Sequence, residues 1–203
     1  MTETVHVAAY DTLADWEIGF ATAHINKPLW HKNPGRFATA TVGASTEPIT
    51  TMGGTRVLPH IALADLRPQD SAMLILAGND IWNTEQFAPF TEKAREFLAA
   101  GVPVAAICGA TGGLAMGGLL DDREHTSNAA EFLASTDYAG GDLYRNAPAI
   151  DDRGLITANA NAPIEFAAAI FARLGVFEPH VLESWLKLYR DQDAAGFFEL
   201  MAS

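Results

Sequence analysis

The 203-residue chain has a single cysteine. One thiol excludes an intrachain disulfide framework and a cysteine-rich metal site. Basic residues are scarce as well: 13 Lys and Arg stand against 25 Asp and Glu, a formal net charge of −12. That balance argues against nucleic acid and against an anionic membrane as partners. Long charge-free runs are missing except over residues 101–120, where six of the twenty are Gly and one is Pro. This composition suits a strand, a turn and a helix, not a membrane span. The opening Met1-Thr-Glu-Thr-Val5 lacks the basic and apolar regions of a signal peptide, so the cytoplasm is the expected compartment. Phosphate loops, dinucleotide fingerprints and paired metal-binding histidines are missing too, and no metal or cofactor is expected. No repeat or linker divides the chain, and one domain over residues 1–203 is expected.

What the chain has is alternation of strand and helix. Strand patterns fall at residues 4–10, 37–42 and 72–76, with a small hairpin over 49–58 around Gly53-Gly54. A helix is expected over 13–26, capped by Asp11 or Thr12, and a short helical piece over 61–66. Thr84 or Thr91 is expected to open a helix that stops at Gly101. Later come a short strand at 124–126, a helix over 129–134 capped by Ser127 or Asn128, and a hairpin over 149–157 turning at Asp152-Arg-Gly154. Helices over 163–174, 181–189 and 194–201 complete the pattern. Alternation of this kind predicts a mostly parallel sheet with helices on both faces.

The pattern centres on Gly101-Val-Pro-Val-Ala-Ala-Ile-Cys108-Gly-Ala-Thr-Gly-Gly-Leu-Ala-Met-Gly117. Val102 to Ile107 reads as a buried central strand and Ala110 to Met116 as a helix of small residues. Cys108 sits at the corner between them, the layout of a nucleophile elbow. A thiol there meets unpaired backbone N–H groups and the positive end of the helix dipole, which predicts a depressed pKa and a nucleophilic thiolate. Against this stands the plain alternative that a lone cysteine merely packs.

Other residues join the corner in a recognisable order. A strand is followed by Asp15-Trp16-Glu17, then Leu76-Ala77-Gly78 after a later strand, Ala106-Ile107-Cys108, His125, Gly154-Leu-Ile-Thr157 and an apolar helix. This order, from Val5 to Leu174, resembles the ThiJ/PfpI family of the class I glutamine amidotransferase-like superfamily. The resemblance implies a flavodoxin-like three-layer α/β sandwich and a homodimer. It implies Cys108 as nucleophile, Glu17 as the protonated acid facing it, and His125 as a nearby histidine. It also implies an oxyanion site from the N–H groups of Gly78 and Gly109. The family often has Gly-Gly where this chain has Gly78-Asn79, and Asn tolerates a left-handed backbone if one is needed. Asp15 is the rival acid, and His24 shares a helix face with Glu17. His6, His31, His60 and His180 carry no such context.

The chemistry within that family is heterogeneous, spanning deglycases and glyoxalases, peptidases, isocyanide hydratases, chaperones and redox sensors. Peptidase-type members place His directly after the cysteine, where this chain has Gly109. Glutamine amidotransferases use a distant His-x-Glu, for which His180-Val-Leu-Glu183 has the wrong spacing. The expected activity is cysteine-dependent attack on a small electrophilic carbonyl. The alternatives are an oxidisable redox or chaperone protein and an isocyanide hydratase.

Overall fold

Strand β7 (Val104–Ile107) is buried at every residue and lies near the middle of the sheet. Its apolar run needs cover on both faces, and a parallel sheet between helix layers gives it. The computed structural model describes residues 2–203. Among these, β1 (Glu3–Ala9), β2 (Phe37–Gly43), β5 (Ile61–Ala62), β6 (Met73–Leu76), β7, β8 (Ala149–Asp152) and β9 (Leu155–Ala158) form one sheet in the order β5-β2-β1-β6-β7-β9-β8. All neighbours are parallel except β8 and β9. A separate hairpin pairs β3 (Ile49–Thr50) with β4 (Arg56–Val57). The helices are α1 (Asp15–Asn26), α2 (Ala88–Ala99), α3 (Gly109–Met116), α4 (Ala130–Ala134), α5 (Pro163–Leu174), α6 (Pro179–Tyr189) and α7 (Ala195–Met201).

The topology locates a cleft. The chain leaves β1 towards β2 on one side, then crosses to β6, β7 and β9 on the other. Loops at the carboxyl ends of β1 and β6 therefore diverge, and a crevice opens there. The connections after β1, β6 and β7 bring in Glu17, in the first turn of α1, Gly78 and Cys108.

Several local expectations are corrected. Residues 61–66 are not one helical piece: Ile61 and Ala62 pair with β2, and a single 3₁₀ turn follows over Leu63–Asp65. An unsatisfied edge of β2 recruits these residues before a helix can nucleate. Residues 124–126 form only an isolated bridge, His125 to Tyr144. Helix α1 starts at Asp15 without a side-chain cap. The intended caps are used elsewhere: Asp11 Oδ1 accepts from Thr50 N at 2.8 Å and Thr12 Oγ1 from Asp80 N at 2.9 Å. Helix α2 starts at Ala88 with Pro89 in its first turn, so neither Thr84 nor Thr91 opens it. Helix α4 is likewise uncapped by Ser127 or Asn128. The turn between β8 and β9 follows expectation, with Arg153 at φ +50° and Gly154 at φ +86°. No helix is long and apolar enough to cross a membrane, among the described residues.

Candidate active site

The backbone at Cys108 adopts φ +57° and ψ −126°. For a residue with a Cβ, such a conformation costs of order 1–3 kcal/mol and persists only where the surroundings enforce it. They do: Cys108 N donates to Ala158 O at 3.0 Å, and Cys108 O accepts from Thr111 N at 3.1 Å and Thr111 Oγ1 at 2.6 Å. Strand β7 delivers the thiol and α3 carries the chain away, leaving the side chain half-buried at the sheet edge. Gly109 closes the corner against the next loop. A Cβ there would lie 2.9 Å from Asn79 O and 3.1 Å from Trp82 Cδ1.

Glu17 meets the thiol from the first turn of α1 and is fully buried. Its Oε2 accepts from Gly78 N at 2.6 Å. Its Oε1 makes no well-formed hydrogen bond and faces the Cys108 thiol. Gly78 makes the meeting possible. A Cβ at this position would lie 2.7 and 2.9 Å from the Glu17 oxygens and 2.8 Å from Cys108 Cβ. Asp15, the rival acid, is turned away: its Oδ2 accepts from Gly53 N at 2.7 Å and so ties α1 to the β3–β4 hairpin.

Because Gly78 N–H is committed to Glu17, it is not the free oxyanion donor expected from the sequence. The next N–H, that of Asn79, has no protein acceptor among the described residues. The Asn79 side chain is folded under the loop, with Nδ2 donating to Ala77 O at 3.2 Å and Oδ1 accepting from Ile81 N at 3.0 Å. Tyr10 Oη, buried below, donates to the same carbonyl at 2.5 Å. Asn79 does not use a left-handed backbone. Its side chain shapes the loop from behind and leaves its N–H on the side of Gly109.

His125 does not hydrogen-bond the sulfur. Its Nδ1 donates to Arg123 O at 2.7 Å, which leaves Nε2 to accept from Tyr138 Oη at 3.1 Å. Burial depresses its pKa, consistent with a neutral ring. The loop needs both ring nitrogens as struts, so none is left for the thiol. His24 does share a face with Glu17, but two turns along it stands among Trp30, Phe171, Trp185 and Tyr189, with ring centroids 5.3–6.3 Å away. His6 bonds Ser71, His31 bonds the His24 carbonyl and His60 bonds Thr41. His180 and Glu183 are exposed on α6.

The polar side chain that does reach the sulfur is Asn128. Its Nδ2 donates to Cys108 Sγ at 3.4 Å, and its Oδ1 accepts from Ala160 N at 2.9 Å. Sequence reasoning placed it as a helix cap, and only the folding of the 125–128 loop against the end of β9 brings it to the thiol. Trp82, its ring centroid 4.9 Å from that of Phe132 in a tilted pair, was also missed and walls the corner beside Gly109.

The electrostatics differ from expectation. Burial pushes the Cys108 thiol up to about 11, opposed by the hydrogen bonds from Asn128 and Gly109 and reinforced by the charge of Glu17. The expected depression is therefore not met, burial being the largest cause. Burial also raises the Glu17 pKa, opposed by the Gly78 N–H bond and by the neighbouring Cys108 thiol. Two acids in one dry space resist ionising together, so they titrate as a pair. One proton on Oε1 would convert repulsion of a thiolate into a hydrogen bond.

A strained cysteine elbow at the carboxyl edge of a parallel sheet, with a buried glutamic acid over it, defines a class of α/β proteins. The chain belongs to the DJ-1/PfpI family, whose model matches residues 3–173. It is similar to YoaZ of Bacillus subtilis, which is named as an uncharacterized protease: 37% identity over 203 residues, 98% of this chain and 97% of the relative. A crystal structure of a ThiJ/PfpI family protein from Bacillus anthracis superposes with a TM-score of 0.92 at 38% identity, covering 100% of this chain and 97% of that one. A DJ-1 superfamily protein from Agrobacterium tumefaciens gives 0.83 at 29% identity, covering 95% and 100%.

Proposed function

We propose that this chain is a cofactor-independent enzyme that attacks a small electrophilic carbonyl, of the glyoxalase or deglycase kind, through a Cys108 thiolate. The observation that carries this reading is the unpartnered Glu17 Oε1 buried against the thiol of a strained elbow. Such an oxygen is costly unless it serves as a proton site. In the proposed step the Glu17–Cys108 pair holds one proton, on Oε1. Sγ forms a bond to the carbonyl carbon, the C=O π pair moves to oxygen, and the N–H groups of Asn79 and Gly109 donate to that oxygen. The Glu17 proton then passes to the alkoxide, giving a neutral thiohemiacetal and a carboxylate.

Amide hydrolysis asks for more. An amine leaving group must be protonated by a well-placed acid, and the histidine expected there, His125, is bonded elsewhere on both nitrogens. The protease in the name of the Bacillus subtilis relative is thus not the reading adopted. The test is parallel incubation with methylglyoxal, a fluorogenic peptide and glutamine, using wild type and Cys108→Ala. Expected is turnover of the dicarbonyl alone, lost in the variant. Cys108-dependent cleavage of peptide or glutamine, or no dicarbonyl turnover, would overturn the proposal.

A further inference from the structure

Asn128 stands at the mouth of the site and is exposed, yet it is held at both ends of its amide. An amide has one acceptor end and one donor end, and the partners decide which faces which. Ala160 N–H can only donate, so it takes Oδ1. This leaves Nδ2, with its two hydrogens, facing Sγ. Rotating the amide would lose the Ala160 bond and turn an oxygen lone pair towards the sulfur. The lock itself comes from the chain immediately after β9, whose Ala158 O also holds the Cys108 backbone. One segment therefore fixes both the thiol and its donor. The supporting loop is tied down independently: Thr126 N donates to Thr157 Oγ1 at 2.9 Å, and Ser127 Oγ bonds Thr111 Oγ1 at 2.6 Å.

We infer that Asn128 is a catalytic residue, an orientation-locked and non-titrating hydrogen-bond donor that stabilises the Cys108 thiolate. The inference rests on the reading of Cys108 as nucleophile. It narrows the substrate class. An amide neither gives up nor accepts a proton near neutral pH, so Glu17 is the one titrating side chain in contact with the sulfur. A site holding one mobile proton suits electrophiles that add the thiolate and keep all their atoms, such as aldehydes and α-oxoaldehydes. Esters and amides must expel a group and protonate it, and the site offers no second acid at the sulfur for that.

The test exploits the single cysteine, which makes alkylation report Cys108 alone. The pH midpoint of iodoacetamide alkylation is measured for wild type, Asn128→Asp and Asn128→Ala, with melting temperature in parallel. In Asn128→Asp one oxygen keeps the Ala160 bond while the other sets a negative charge against the thiolate. Its midpoint should rise by about one pH unit or more, roughly a tenfold slower reaction at any fixed pH below it. Asn128→Ala should rise as well, by less. An Asn128→Asp midpoint equal to that of wild type overturns the inference, whatever the Ala variant does, since an effect of Ala alone would come through the loop. Alkylation needs no carbonyl substrate. A missing dicarbonyl turnover with a shifted midpoint would sink the proposed activity and leave the Asn128 assignment standing.

Discussion

Two regions of the molecule each bury one unpartnered polar side-chain atom, and among the described residues these are Glu17 Oε1 and Trp185 Nε1. At the Cys108 corner the surroundings are small and polar: Gly78, Gly109, Thr111, Asn79 and Asn128. Between α1, α5 and α6 they are large and aromatic. Trp185 stands edge to face with Phe20, Phe171 and His24 at interplanar angles of 88–90°. The buried Glu17 oxygen instead faces a second ionisable group. An orphaned atom alone does not mark a site; a titratable neighbour on a strained backbone does.

The largest test of this contrast is Trp185→Ala. Removing a fully buried indole should cost about 3–5 kcal/mol of stability. Chemical denaturation would measure it, and the alkylation midpoint of Cys108 in the folded protein should stay where it is. A shifted midpoint would mean that the two regions are coupled.

Gly78→Ala is the reverse experiment. The added methyl must displace the Glu17 carboxyl or Cys108 Cβ, since it would lie under 3 Å from both. Overpacking of this kind costs about 1–3 kcal/mol. The effect on chemistry should exceed the effect on stability, with dicarbonyl turnover falling at least tenfold while the fold survives. Loss of stability with normal turnover would show that the close approach of acid and thiol does not matter.

The smallest expected effect is thermal. Glu17 has a folded-state pKa raised by burial. A group raised in this way contributes its stability below its unfolded pKa and loses it as pH rises through the folded value. Where Glu17 is ionised, wild type therefore pays for a buried charge, and Glu17→Gln should melt higher there, by about 2–4 °C for each kcal/mol relieved. The gain should vanish in acid, below the ordinary carboxylate range, where Glu17 is protonated in both states. A gain independent of pH would mean that Glu17 is not ionising in that window. For reactivity, Glu17→Leu should raise the alkylation midpoint above that of Glu17→Gln, because only Gln keeps a donor to sulfur.

Much of the fold was legible in the chain. The apolar runs at 72–76 and 102–107 read as buried strands, and the small residues after Cys108 as a tightly packed turn and helix. The same local chemistry placed Cys108 at a corner and Glu17 in the first turn of α1. Glycine at 109 announced close approach, although not of what to what; Gly78 and the role of Glu17 came only from the family resemblance. These features are written in neighbouring residues, and short-range sterics and hydrophobic periodicity suffice to read them.

What only the tertiary structure decided is which polar atoms face the sulfur. Asp15 and Glu17 are two residues apart on one helix, so their side chains point in different directions; the β3–β4 hairpin takes one and the thiol the other. Gly78 N–H was spent on Glu17, passing the free N–H to Asn79. Asn128 reached Sγ in place of His125, because the 125–128 loop docks on the end of β9 and uses the imidazole as a strut. The bonds of Asn128 to Sγ and of Gly78 to Glu17 depend on partners 20 and 61 residues away in sequence. A buried hydrogen bond is assigned by whichever group arrives with the right geometry, and arrival is a property of the packed fold, not of local sequence.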